Sequence, residues 1–304
     1  MPFLWTGFLR QPTLFLMRLI SRIFLFSILQ LYGMGTQFVL LPSTAEELSV
    51  GTHSTLFGLF PTNPALYSSS EAHPSLSFNR GAWLGDVTLS RLGYNQSLKN
   101  KTLHFGVKYA GISGLEYRDH IPQDNALSEF SSFGLALDAG ISVRREYHKF
   151  GFSLSYLHMG VYTEHSRGIG MSIGYLYDLR RGFKVGTSLK NIGLMTKLVS
   201  ESPSLPMLLS VGLSKELKFN EYRNTVYGSL EVGQTNSTYK YYLGNQFTWN
   251  RLSILGGFAL SERVTESSIG VGISLNRYKV TYGIKTGSQN LGLPQIVSLM
   301  MLIP

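Results

Sequence analysis

Histidine is the side chain best suited to proton transfer and metal binding near neutral pH. The chain has seven: His53, His73, His104, His120, His148, His158 and His165. None stands at a close metal-ligand spacing with a carboxylate; His158 and His165 flank the end of one predicted strand. There is no cysteine, so a thiolate nucleophile, a thiolate metal site and a disulfide framework are all excluded. Serines are abundant, so a chance Ser/His pair carries little weight. A serine hydrolase would need a nucleophile and a base converging on one rim, and no G-x-S-x-G nucleophile elbow is expected. Gly168-Ile169-Gly170 and Gly270-Val271-Gly272 lie in strand-like runs with no helix after them, so the dinucleotide-binding reading fails. The sequence therefore predicts no catalytic residue, no metal site and no cofactor.

A second set is defined by position. Lys108, Asp138, Arg144, Asp178, Lys184, Lys190, Lys279 and Lys285 all fall on the small-residue parity of alternating runs. They read as a polar passage, as a docking surface for a plug, or, most simply, as solvated or paired lumen charges. Asp178 beside Arg180 and Arg181 reads as a cluster at a rim turn.

The elements that must position these charges are clearest in Ser166–Gly193. Ile169, Met171, Ile173, Tyr175 and Tyr177 share one parity; Gly170, Ser172, Gly174 and Asp178 share the other, with Leu176 the exception. A tight turn follows at Leu179-Arg180-Arg181-Gly182. Phe183, Val185, Thr187 and Leu189 then alternate with Lys184, Gly186, Ser188 and Lys190. A period of two is the strand signature, since successive side chains point to opposite faces. One face is large and apolar, the other small and polar. A membrane barrel turns the first to lipid and the second to its lumen. The same alternation recurs over Lys101–Ile112, Ser131–Arg144 and Ser267–Asn276, and fourteen such strands fit between Pro74 and the last residues.

Composition agrees. Charged residues make up 15% of the chain, against about 25% in an average soluble domain. Most predicted strands run about 10–12 residues, the length a tilted strand needs to cross a bilayer. Beyond residue 35 no apolar run is long enough for a helical span. Leu179–Gly182 and Asn276-Arg277 are short connections, whereas Ser113–Phe130 and Gly193–Leu205 are long, as on the two rims of a barrel. Tyr94, Tyr117, Tyr162, Tyr239, Tyr241, Tyr242, Trp249 and Tyr278 gather near strand ends, where interfacial girdles form. The last strand, Gln295–Ile303, is expected to close on the first, because an unpaired edge is intolerable in lipid.

Residues 1–35 read as a signal peptide. Arg18 and Arg22 precede an apolar run from Ile23 to Leu31, and Gly33-Met34-Gly35 supplies small residues for cleavage near Thr36; Met17 is an alternative start. The rival is a membrane anchor over Leu14–Leu31. It would place two arginines within the span, at about 2.5–3.5 kcal/mol each. Without residues 1–35 the chain keeps 24 basic and 18 acidic residues, a net +6 with no basic cluster, so nucleic acid is not an expected partner. Residues 36–73 are the least strand-like. They read as a short helical plug, with Ser43 or Thr44 as its cap and acids in its first turn, or as a loose arm. Residues 74–304 form the barrel.

Three stretches resemble one family. They are Phe38-Val39-Leu40-Leu41-Pro42-Ser43-Thr44-Ala45, Asn63-Pro64-Ala65-Leu66, and Gly170–Gly193 with its end Gly186-Thr187-Ser188-Leu189-Lys190-Asn191-Ile192-Gly193. Together they resemble the PorV/PorQ branch of the FadL-like outer-membrane barrels, the PorQ type more closely. The resemblance implies a fourteen-stranded antiparallel barrel in the bacterial outer membrane, surrounded by its lipid. It also implies an N-terminal hatch that includes Asn63, Pro64 and Ala65. Its implied role is non-catalytic: an accessory of type IX secretion whose partners are proteins of that apparatus. The chain departs from the family pattern after Ser43, where an arginine and a glycine pair usually follow and Ala45-Glu46-Glu47 stand instead. The alternative is a FadL-like passive transporter of hydrophobic small molecules. The lumen parity offers few large apolar residues for a lipid pocket, although Leu56, Phe57, Leu59 and Phe60 of the hatch could line one.

Overall fold

The computed structural model describes residues 35–52, 55–57, 62–66, 73–118, 126–233, 239–289 and 292–303. The expected signal segment lies outside the described residues, as do His53, Leu59, Phe60 and His120.

Alternation of large apolar with small polar residues produces fourteen strands among the described residues. They are β1 (Ser75–Ala82), β2 (Thr88–Leu98), β3 (Lys101–Tyr117), β4 (Ser128–Arg145), β5 (His148–Val161), β6 (Glu164–Asp178) and β7 (Phe183–Met195), followed by β8 (Leu208–Lys218), β9 (Tyr222–Gly233), β10 (Tyr239–Trp249), β11 (Leu252–Ser261), β12 (Thr265–Leu275), β13 (Tyr278–Gly287) and β14 (Gln295–Leu302). Every strand pairs antiparallel with its sequence neighbour, and β1 closes on β14 in a register running from Ser75↔Leu302 to Ala82↔Gln295. Closure satisfies every strand edge, which an open sheet cannot do in hydrocarbon. This is the closed antiparallel barrel that the alternation predicts.

The strands are longer than predicted on one rim. β3 runs on to Tyr117 through a bulge between Ile112 and Leu115, β4 begins at Ser128, and β7 continues to Met195 past a bulge opposite Met171 and Ile173. A bulge reverses the parity after it, which hid these extensions from a period-two reading. The connections still fall into two classes. On the rim that holds both ends of the barrel they span 99–100, 146–147, 179–182, 219–221, 250–251 and 276–277. On the other rim 118–127, 196–207 and 288–294 are longer, although 162–163 and 262–264 are short there too.

The outer wall is apolar. Ile169 is 58% exposed, Ile269 56% and Phe105 53%, with Leu92, Val107, Leu154 and Ile273 on the same surface. A continuous apolar band facing outward is costly in water and favourable in lipid. Tyr242 is an exception to the girdle reading: it is buried in the lumen, 4% exposed, and donates to Glu231 at 3.0 Å.

Candidate functional site

The lumen is filled by the chain's own N-terminal residues. They begin at the long-connection rim, where Thr36 donates to the Ser204 carbonyl at 2.6 Å. A helix of five residues follows, α1 (Ala45–Ser49). Thr44 caps it by accepting from the Glu47 N–H at 3.0 Å, and the Glu47 carboxylate reaches back to the Ser43 N–H at 2.8 Å. This is a close variant of the capping box, and it satisfies donors that a buried helix start would otherwise leave unpaired. Burial raises the Glu47 pKa; the bond from Ser43 and the charges of Lys108, Lys190 and Arg91 oppose that rise.

The barrel wall receives this segment through hydroxyls and glycines. Ser298 Oγ accepts from the Ala45 N–H at 2.7 Å. Ser268 Oγ accepts from the Gly51 N–H and donates to the Ser49 carbonyl, each at 3.0 Å. Glu46 accepts from Thr281 at 2.9 Å and pairs with Lys279 at 3.4 Å. Opposite them stand lumen-facing glycines. A Cβ at Gly257 would overlap the backbone of Val50 and Gly51, and one at Gly270 or Gly283 would overlap the Ser49 side chain. The small-residue parity is thus the seat of the N-terminal segment.

Asn63, Pro64 and Ala65 form the second anchor, toward the short-connection rim. Asn63 is fully buried. Its amide donates to the Thr55 carbonyl at 2.9 Å and the Thr187 carbonyl at 3.4 Å, and its Oδ1 accepts from the Ala65 N–H at 2.9 Å. That last bond folds the backbone on itself in an Asx turn. Gly151 of β5 and Gly174 of β6 leave room for it: a Cβ at either would overlap Pro64 and Ala65, or Asn63. Leu56 packs with Ala65, Leu176 and Tyr227, with Phe57 and Leu66 beside them, so these residues make a small core rather than lining an open pocket.

The lumen charges selected from the sequence mostly pair with other side chains of the wall or with this segment. Lys108 is buried and donates to the carbonyls of Val39 and Leu41. Asp138 accepts from Ser155 at 2.6 Å. Lys190 pairs with Glu231 at 3.6 Å and Lys285 with Glu266 at 2.9 Å. Asp178 pairs across β5–β6 with Lys149 at 3.1 Å; the side chain of Arg180 lies outside the described residues. Lys184 is the register partner of Asp178, and Arg144 is exposed near the short-connection rim. Sequence reading missed Arg91, His104, Lys149, Glu231 and Glu266. Arg91 and His104 are buried together, 3.3 Å apart, with His104 Nδ1 2.6 Å from Asn95 Oδ1. The alternation of Leu89, Arg91, Gly93 and Asn95 marks Arg91 as lumenal, so the signal for it was present.

The chain does contain the G-x-S-x-G spacing of a nucleophile elbow, at Gly170-Met171-Ser172-Ile173-Gly174. It lies inside β6, with no strand-to-helix turn, and Ser172 Oγ accepts from the Asn191 N–H at 3.2 Å. The elbow chemistry needs the strained turn. Among the described residues no group of three or more His, Asp and Glu could hold a metal.

Between the N-terminal segment and the wall remains a cavity of about 50 Å³, bordered by Leu41, Glu47, Lys108, Asp138, Leu157 and Lys190. A cavity that accepts benzene is about 150 Å³, so this space holds a few waters and no ligand of that size. Among the described residues, the lumen is closed at this level.

These features define a fourteen-stranded barrel of outer-membrane type with its N-terminal segment seated in the lumen. The fold is shared with solved FadL-type channels. The toluene transporter TodX of Pseudomonas putida superposes with a TM-score of 0.61 at 12% identity, over 86% of this chain and 98% of that one. The monoaromatic hydrocarbon channel CymD gives 0.59 at 12% identity, over 88% and 99%. A FadL homologue of Pseudomonas aeruginosa gives 0.58 at 8% identity, over 86% and 98%. No family model matches the sequence, and no curated protein matches it. The PorV/PorQ resemblance has no counterpart among these neighbours, all three of which are FadL-type barrels.

Proposed function

We propose that the barrel is a passive outer-membrane conduit for small hydrophobic molecules, gated by residues 36–66. The observation that carries this reading is the fold likeness to channels described as transporters of toluene and other monoaromatic hydrocarbons, which extends over nearly their whole length. The closed lumen makes the gate necessary: a ring the size of toluene exceeds the residual cavity, so passage requires the N-terminal segment to shift. The contacts that hold it are hydrogen bonds, which water can replace at a net cost of about 0.5–1.5 kcal/mol each, together with the Glu46–Lys279 ion pair and the apolar packing of Leu48, Leu56 and Ala65.

A second reading rests on the resemblance to the PorV/PorQ branch. The same closed lumen suits a barrel that works through its rims, as an accessory of type IX secretion that docks proteins. The test is uptake of a radiolabelled monoaromatic hydrocarbon by intact Gram-negative cells lacking hydrocarbon channels of their own. Uptake well above the empty-vector control supports the conduit. Uptake at the control level overturns it. Recovery of secretion components with a loop-tagged protein from native membrane, in mild detergent, then favours the second reading.

A further inference from the structure

The outer wall carries a cluster that neither reading uses. His158 of β5, and His165 and Arg167 of β6, lie on the lipid-facing parity close to the long-connection rim; His158 and Arg167 are register partners. The rings of His158 and His165 stand 5.4 Å apart, and Phe133 of β4 packs edge-on against His158 at 5.5 Å. Gly160 makes the cluster possible. A Cβ there would fall 2.6 Å from the Phe133 ring and 2.8 Å from His165 Nδ1, so only glycine lets both rings lean over that position. His165 and Arg167 are exposed. His158 Nε2 is buried from solvent and has no hydrogen-bond partner, and the ion pairs among the described residues do not include Arg167.

The level of the cluster in the wall decides its partner. Toward the barrel's middle, the same face is purely apolar, with Leu154, Tyr156, Ile169 and Met171. Toward the rim stand aromatics, including Tyr162, which stacks on Tyr117 at 6.2 Å. The donors therefore sit where hydrocarbon gives way to headgroups. At that depth the groups they would meet are lipid phosphates, and arginine with imidazole N–H donors suits phosphate oxygens. We propose that His165 and Arg167, with the His158 ring set against His165, form a site for the phosphate of an anionic membrane lipid. The lipid's acyl chains would lie along the Leu154–Ile169 surface. The site depends only on the barrel lying in a bilayer, and it survives whether or not the lumen conducts.

The test is native mass spectrometry of the full chain, released from detergent after titration with phosphatidylglycerol or with phosphatidylcholine. The expected result is retention of phosphatidylglycerol over phosphatidylcholine. R167Q and H165Q should each weaken it about tenfold, the scale of one charge-assisted hydrogen bond. R145Q, at the opposite rim, should leave it unchanged. Each variant's heat-modifiable band on a gel confirms a folded barrel before titration. Equal retention of both lipids would overturn the proposal. So would R167Q and H165Q variants that hold phosphatidylglycerol as well as the parent, or displacement of the lipid by millimolar inorganic phosphate alone, which would mark a plain anion site.

Discussion

Asn63 Oδ1 occupies the space that a side chain at Gly174 would need. The Asx turn of the N-terminal segment and the missing Cβ on β6 are therefore two halves of one contact. A larger residue at 174 cannot coexist with the seated turn. Gly174→Val should expel it at a cost of about 1–3 kcal/mol, the usual range for overpacking a closed site. The barrel itself should remain, because strand pairing there is backbone to backbone. The check is limited proteolysis: residues 45–66 should become cleavable while the barrel core persists.

Asn63→Ala removes three hydrogen bonds at once and leaves the buried Thr55 carbonyl short of a donor. Each unmet buried group costs about 1–3 kcal/mol. Hydrogen exchange should rise across 62–66 and at Thr55, with little change in β5 and β6.

Glu47 predicts a pH dependence. Its pKa is raised in the seated state by burial, above the ordinary 4.5. An acid that holds its proton longer when buried binds more protons in the seated state than in the released one. Stability of the seat therefore falls as pH climbs from about 4.5 through the raised value, and is flat beyond it. Glu47→Gln keeps an acceptor for the Ser43 N–H and cannot ionise. Proteolytic release of residues 45–66, followed from pH 4 to pH 8, should increase with pH in the parent and stay level in the variant.

The outward apolar parity predicts the opposite behaviour of neighbouring positions. Ile269 faces lipid and is 56% exposed. Ile269→Arg should destabilise the barrel by about 2–4 kcal/mol if it lies near the bilayer midplane. Folding equilibria in lipid vesicles measure this directly. Ser267→Arg, on the same face nearer the rim, should cost less, because its guanidinium can reach the headgroups.

Much of the barrel was legible before any coordinates. The period-two runs at Ile169–Tyr177, Leu103–Tyr109 and Ile269–Leu275 state both the strand and its facing, since alternation is a local property of the chain. The closing strand Gln295–Leu302, whose own alternation is weak, followed instead from the need to leave no edge unpaired in lipid, and topology followed because consecutive antiparallel strands pair with their neighbours. Bulges were less legible: Ile112 to Leu115 and the break opposite Met171 change parity without any residue that announces it.

What the sequence by itself determined was the barrel, its apolar exterior and a small polar interior. Only the tertiary structure decided what that interior is for. Gly151, Gly174, Gly257 and Gly270 look alike in a one-dimensional pattern, yet each faces a particular backbone atom or side chain of the N-terminal segment. Glu46 meets Lys279, and Lys108 meets the carbonyls of Val39 and Leu41, across separations that no local spacing encodes. Those pairings arise when the sheet closes and brings its inner face around one segment. The physical reason is that side-chain direction is set by neighbours along the chain, whereas lumenal contact is set by closure.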